Sequence, residues 1–197
     1  MTTKPICMRC IYIFILILIT TVRIANAQTS DNSLLQDWDT PFGAPPFERI
    51  GVEDFEPAFE TAMKKNLAEI DAICSSSDSP TFANTIEAIE NAGEDLRRVQ
   101  RTFSALTSSA TNDELRSIQS RLAPRLAAHA SKITLNADLF ARIDALFEKR
   151  ETLGLDDEKS RVLELTHKRF VRAGAKLQGE DRKRLAAITK ELAGLYT

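Results

Sequence analysis

Few side chains in this 197-residue chain are of types that could do chemistry, and both histidines are among them. His129 and His167 each fall among apolar residues that recur at helical spacing, which is typical of a histidine at a helix interface held by one hydrogen bond. A helical zinc hydrolase site uses H-E-x-x-H, in which two imidazoles one turn apart bind the metal and the glutamate activates water. The letters AS follow the first histidine and KR the second, so neither belongs to such a motif. We assign neither of them a catalytic or metal-binding role.

The cysteines also indicate no site. Cys74 lies on an apolar helical stripe with no histidine within one turn, as expected of a small buried hydrophobe rather than a nucleophile. Cys7 and Cys10 have the C-x-x-C spacing of a redox or metal motif, but they lie in an N-terminal segment that we expect to be removed. No G-x-S-x-G and no glycine-rich phosphate loop occurs. The residue types alone therefore predict no catalytic, cofactor-binding or metal-binding residue in this chain.

The elements that would position any site are predicted to be helices. From Glu53 onward apolar residues recur every three or four positions, and no stretch alternates long enough for a strand, so we predict an all-α domain of about seven helices. Pro124 should kink or break the fourth helix, because a mid-helix proline removes one backbone hydrogen bond and clashes with the preceding turn. The predicted helix starts are Pro57 in a first turn, Thr81 or Asn84 as a cap, Asn112, Asn136 and Asp156 as caps, and Glu180 near the start of the last helix.

The first 27 residues have the order of a secretory signal peptide. Lys4 and Arg9 precede an apolar run that Arg23 stops, and Ala-Asn-Ala ends at Ala27. A membrane anchor would need about 20 apolar residues, and this run is shorter. We therefore expect cleavage after Ala27, export to a bacterial periplasm and no membrane attachment afterwards. Loss of the leader would change the formal charge from −2 to −5, which argues against nucleic acid as a partner.

Residues 28–52 are rich in proline and phenylalanine. Prolines cannot continue a helix, and a buried phenylalanine ring contributes roughly 1.5–3 kcal/mol of transfer free energy. We predict that this segment is an extended strap whose phenylalanines, together with Phe55 and Phe59, anchor it across a helical lobe formed by residues 53–197. The alternative is a flexible proline-rich linker, although exposed aromatics would be unusual in one.

Several segments, in order, resemble the start of the bacterial peptidyl-dipeptidases, members of the zinc metallopeptidase family that contains oligopeptidase A and thimet oligopeptidase. Oligopeptidase A is the nearest competing branch. The resemblance covers about residues 32–197, and its clearest segments are 38–50 (WDTPFGAPPFERI), 55–63 (FEPAFETAM), 80–90 (PTFANTIEAIE), 122–129 (LAPRLAAH), 139–142 (LFAR) and 170–175 (FVRAGA).

This resemblance implies the helical N-terminal lobe of a two-lobed, neurolysin-like zinc enzyme with a deep channel between its lobes. Such an enzyme would cleave short peptides, and in the peptidyl-dipeptidase branch it would release C-terminal dipeptides. The family's H-E-x-x-H and its third ligand, a downstream glutamate, lie in a later portion that this sequence does not include. We therefore expect an inactive, truncated portion whose zinc and catalytic residues belong to a missing C-terminal part. The alternative is a free-standing helical binding or scaffold protein derived from that lobe.

Overall fold

The computed structural model describes residues 32–195, and within that range every regular element is helical. The predicted leader and the first residues of the predicted strap lie outside the described residues. A π-helical turn, Phe82–Glu87, continues directly into the short second helix. The helices are α1 (Phe55–Ser75), α2 (Ala88–Asn91), α3 (Glu94–Ser109), α4 (Asp113–Thr134), α5 (Ala137–Glu148), α6 (Asp157–Arg172) and α7 (Gly179–Leu195). The predicted all-α class is confirmed.

The predicted N-caps are confirmed at three helices. The side-chain oxygens of Asn112, Asn136 and Asp156 each accept a hydrogen bond from the backbone N–H three residues later, at 2.8–2.9 Å. Both candidates for the second helical segment take part, because the Thr81 hydroxyl accepts from the Asn84 N–H while the Asn84 side chain accepts from the Thr81 N–H. Such a reciprocal pair satisfies two backbone donors at once.

Of the two predicted effects of Pro124, a kink or a break in the helix, the break does not occur. Helix α4 runs for 22 residues from Asp113 to Thr134 with the proline inside it. Leu122 and His129, on either side of the proline, are both buried, so tertiary packing holds the two halves of α4 in one helix. A single lost backbone bond does not outweigh that packing.

The helices enclose two apolar clusters. The first joins the start of α1 to α3 and the first half of α4, and the second joins the end of α1 to the π-helical turn, α5 and α6. Fully buried members of the first cluster include Leu34, Phe55, Phe59, Val99 and Leu122, and those of the second include Ile86, Leu139, Ile143, Leu163 and Phe170. Helix α1 therefore contributes to both cores, which makes it the central element of the fold.

The strap is less extended and less firmly anchored than predicted. Between residues 32 and 54 it forms four short 3-10 turns joined by extended residues. Leu34 is its buried anchor, whereas Phe42 is completely exposed and Phe47 is 47% exposed. The prediction that these two phenylalanines anchor the strap on the helices is therefore wrong, and Phe42 lies in a tight turn with φ +60°.

Of the four phenylalanines that were expected to anchor the strap, the two that are buried belong to α1. Phe55 and Phe59 pack edge to face against Phe103 of α3, with ring centroids 5.0 and 5.6 Å apart. This geometry is the one that aromatic pairs prefer, and it joins α1 to α3 in the first core.

Helix α7 lies against α4 but contributes no buried residue. Its apolar residues Ile188, Leu192 and Leu195 are 43, 44 and 74% exposed. The sequence spacing had grouped these residues with Leu185 as one stripe, yet only Leu185 is partly buried. In residues 32–195, no helix combines the length and apolar character that a bilayer crossing requires.

Candidate functional site

His129 lies at the interface of α4 and α1, as predicted for a histidine satisfied by one hydrogen bond. Its Nε2 atom is 2.9 Å from Oδ1 of Asn66, and only 7% of the residue is exposed. Asn66 in turn packs against the backbone of Gly93 at the start of α3, where an added Cβ would come within 2.8 Å of Nδ2. These contacts connect α1, α3 and α4 through one buried polar pair.

The charge state of His129 follows from its surroundings. Burial lowers the pKa of His129, and the nearby Lys132 ammonium lowers it further. The imidazole is therefore neutral at neutral pH. Since the amide oxygen of Asn66 accepts, Nε2 carries the proton and donates it. This arrangement stabilises an interface, and no substrate-facing acid or base results from it.

His167 occupies a second interface, between α6 and α5. Its Nε2 atom is 2.8 Å from Oδ1 of Asp144, and its ring stacks on Phe147 with centroids 3.9 Å apart. The ring centroid of Phe140 lies 5.7 Å from that of His167, and the two ring planes are inclined by 29°. The prediction of one hydrogen bond at a helix interface is confirmed here too.

Cys74 is only partly buried, at the end of α1. Its Sγ atom is 3.8 Å from Oδ1 of Asn136, and burial, followed by the charges of Asp138 and Asp71, raises the pKa of the thiol. A raised pKa leaves less of the nucleophilic thiolate. The Cys74 environment is therefore that of a structural residue.

A zinc site was expected only in the missing portion of the family enzyme. In the part of the chain that the structure describes, no group of three or more histidine, cysteine, aspartate or glutamate side chains lies close enough to hold a metal ion. His129 and His167 have different partners in different interfaces. The described residues do not fit a catalytic zinc ion.

Arg142 of α5 is a buried polar residue that the sequence did not single out. Only 8% of it is exposed, and its guanidinium donates to the carbonyls of Ser76 and Asp78 and to Oδ1 of Asn84, at 3.1–3.2 Å. It thereby holds the loop after α1 against the capping box of the next helical segment. The sequence signals for it were its place in the segment 139–142 (LFAR) and its position among the apolar residues Leu139, Ile143 and Leu146.

A cleft of about 610 Å³ between α1, α4 and α7 could receive a ligand. Its floor is mostly apolar and its rim is mostly cationic. His129, which is hydrogen-bonded to Asn66, is part of one wall. The cleft is lined by Met63, Lys64, Leu67, Ala68 and Asp71 of α1, by Arg125, Ala128, His129 and Lys132 of α4, and by Lys190 of α7. Because the three lysines lie on three helices far apart in the sequence, no motif could have predicted it.

Comparison with known proteins relates the chain to peptidases. No family model matches it. It is 43% identical over 167 residues to the dipeptidyl carboxypeptidase of Escherichia coli strain K12, covering 85% of this chain and 24% of that enzyme. It is 42% identical over 168 residues to the dipeptidyl carboxypeptidase of Salmonella typhimurium, covering 85% of this chain and 25% of that enzyme.

A more distant relative is the organellar oligopeptidase A of Arabidopsis thaliana, which is 23% identical over 172 residues, or 87% of this chain and 21% of the relative. The chain thus spans about a quarter of the length of the curated relatives that it matches. The resemblance stated from the sequence segments is confirmed: over most of its length this chain is similar to one portion of the dipeptidyl carboxypeptidases and, more distantly, of an oligopeptidase A.

Proposed function

We propose that this chain is the non-catalytic N-terminal portion of an exported zinc metallopeptidase that hydrolyses short peptides and releases C-terminal dipeptides. The observation that carries the proposal is the 43% identity over 85% of the chain to a dipeptidyl carboxypeptidase, of which only 24% is matched. The higher identity to dipeptidyl carboxypeptidases than to an oligopeptidase A, which is 23%, favours the peptidyl-dipeptidase branch. Export rests on the leader-like residues 1–27.

Within this proposal the chain does not cut peptides by itself. Its sequence has no H-E-x-x-H, both histidines are occupied in helix interfaces, and burial raises the pKa of its one thiol beyond the leader. The zinc ion, the glutamate that activates water and the groups that stabilise the reacting carbonyl would all come from the C-terminal catalytic part. The contribution of this chain is a wall of the peptide channel and a packing surface for that part.

The exposed side of α7 supports a packing role. Ile188, Leu192 and Leu195 lie within one narrow arc of the helix, because residues separated by three or four positions share a face. Apolar residues grouped on one exposed face are typical of a surface that another part of a protein covers. We infer that the catalytic part covers this face.

The proposal is tested by exchange of the matched segment. We would replace the corresponding residues of the Escherichia coli dipeptidyl carboxypeptidase with residues 32–195 and measure release of dipeptides from a short blocked peptide. We expect a folded chimaera that keeps chelator-sensitive activity, while the full chain alone, supplied with zinc, shows none. A folded but inactive chimaera would refute the proposal, and so would robust hydrolysis by the chain alone. A chimaera with Phe59→Asp, which places a charge in the first core, is the control for loss of folding.

A second candidate is a free-standing helical scaffold. It is favoured by the two enclosed cores and the satisfied helix caps, which this chain builds from its own residues. It predicts a monodisperse chain with one cooperative unfolding transition and little binding of hydrophobic dye. The first candidate predicts self-association or dye binding through the α7 face, which Leu192→Lys should reduce.

A further inference from the structure

We propose that the cleft between α1, α4 and α7 binds an organic anion that joins a carboxylate to apolar groups. This inference does not depend on the peptidase proposal. It concerns a property of the described helices themselves.

The rim of the cleft supplies an excess of positive charge. Lys64, Lys132 and Lys190 each extend from a different helix, and within residues 32–195 none of their ammonium groups makes a hydrogen bond or an ion pair. Asp71 offsets one of these charges. Arg125 adds little further charge, because it forms ion pairs with Glu60 and Glu56 outside the cleft at 2.5 and 3.7 Å.

The floor of the cleft is apolar. Met63, Leu67 and Ala128 line it. The side chain of His129 completes one wall, and burial keeps its imidazole neutral. A volume of about 610 Å³ lies within the usual range for small-molecule sites, roughly 300–1,000 Å³. An apolar floor beneath cationic groups fits a ligand with both parts better than a bare inorganic anion, because the ligand gains from burial as well as from charge.

The cleft lies on the opposite side of α7 from its exposed apolar face. Successive residues of an α-helix are about 100° apart, so Lys190 projects about 160–200° away from Ile188 and Leu192. On the side toward α4, Ala186, Ala187 and Lys190 line a second cavity together with residues of α4. Covering the apolar face therefore leaves the cleft accessible.

Ligand binding should also hold α7 in place. Lys132 and Lys190 face the same cleft from α4 and α7, so their like charges oppose the contact between the two helices. A bound carboxylate would neutralise this repulsion, and α7 contributes no buried residue of its own to secure the contact. Occupancy should accordingly raise the thermal midpoint and slow amide exchange in α7.

The test is calorimetric titration of the full chain with two carboxylate probes and one neutral control. The probes are N-acetyl-leucyl-leucine, which stands for a peptide C-terminus, and octanoate, which stands for a fatty acid. The control is N-acetyl-leucyl-leucinamide, which has the shape of the first probe without its charge. We expect saturable binding of at least one carboxylate, and binding of the matched amide at least about fivefold weaker, near the upper end of what one accessible ion pair contributes. The probe that binds more tightly shows whether the natural ligand is a peptide C-terminus or a fatty acid.

Paired lysine variants locate the site. Lys132→Gln with Lys190→Gln should weaken the carboxylate at least about tenfold and abolish its effect on amide exchange in α7. Lys168→Gln with Lys176→Gln removes the same charge from exposed positions outside the cleft and should leave binding within about twofold. Circular dichroism checks that both variants stay folded. Failure of both carboxylates to bind would overturn the proposal, as would equal binding of acid and amide or equal losses in the two double variants.

Discussion

Replacement of Gly93 by alanine should reveal how tightly α1, α3 and α4 are joined. Gly93 caps α3 with φ +77°, and a Cβ there would come within 2.8 Å of Nδ2 of Asn66. The left-handed backbone costs an alanine about 1–2 kcal/mol. Displacement of Asn66 would also disturb its buried hydrogen bond to His129, with a net value of about 0.5–1.5 kcal/mol. We therefore expect Gly93→Ala to lower the free energy of unfolding by about 2–3 kcal/mol.

Gly154→Ala is the matched control. Gly154 has φ +64°, close to that of Gly93, but an added Cβ there would meet no atom within 4 Å. Gly154→Ala should lower the free energy of unfolding only by the cost of the left-handed backbone, about 1–2 kcal/mol. Urea unfolding followed by circular dichroism measures both variants, and each 1 kcal/mol corresponds to a thermal midpoint shift of about 2–4 °C for a chain of this size.

A double-mutant cycle separates the two contributions. In an Asn66→Ala background the side chain that the new Cβ would meet is gone, so Gly93→Ala should cost only as much as Gly154→Ala. If Gly93→Ala and Gly154→Ala lowered the free energy of unfolding of the parent protein equally, the close approach to Asn66 would contribute nothing to stability. The same conclusion would follow if Gly93→Ala cost as much in the Asn66→Ala background as in the parent.

Three further changes test separate features of the fold by urea unfolding. Phe42→Ala should change stability by less than about 0.5 kcal/mol, because Phe42 is fully exposed, whereas Phe59→Ala should cost about 3–5 kcal/mol. Pro124→Ala should stabilise the chain by about 1–2 kcal/mol, since alanine restores a helical N–H and its greater freedom in the unfolded chain offsets only part of that gain. Because the pKa of His129 is lowered in the folded chain, its imidazole becomes protonated at a higher pH in the unfolded chain than in the folded chain. Stability from this residue is therefore complete above about pH 6.5 and is lost below it, by at most about 1.4 kcal/mol per pH unit, and His129→Gln should lack that loss.

Each of these expectations has a clear contrary result. A large loss in Phe42→Ala would mean that the exposed ring is covered in solution. Destabilisation by Pro124→Ala would mean that α4 needs the proline geometry. Parallel pH profiles for the parent and His129→Gln would show that burial does not favour the neutral imidazole.

The local features of this fold could be read from the sequence. The caps at Asn112, Asn136 and Asp156 depend on a side chain and a backbone N–H three residues apart, so the information lies within one turn. The recurrence of apolar residues every three or four positions likewise depends on the helix alone. It predicted both the all-α class and the interface positions of the two histidines. The family segments were equally accessible, because they are short runs in a fixed order.

Which apolar residues are buried was decided by the tertiary structure. Phe42 and Phe59 are the same residue type within one aromatic segment, yet one is fully exposed and the other is in the core. Ile188 and Leu192 continue a helical stripe but remain exposed, because no other described helix covers that side of α7. Periodicity states that a face is apolar, and only the arrangement of neighbouring helices determines whether that face is covered.

The sequence by itself determined where the capped helices begin, that the chain is all-α and similar to a portion of the dipeptidyl carboxypeptidases, and that H-E-x-x-H is absent from the 197 residues. Only the tertiary structure decided the partners of the buried polar groups and brought Lys64, Lys132 and Lys190 to one cleft. The physical reason is distance along the chain. Caps and periodicity act within a few residues, whereas these three lysines are separated by about 60 positions and meet only because α1, α4 and α7 pack together.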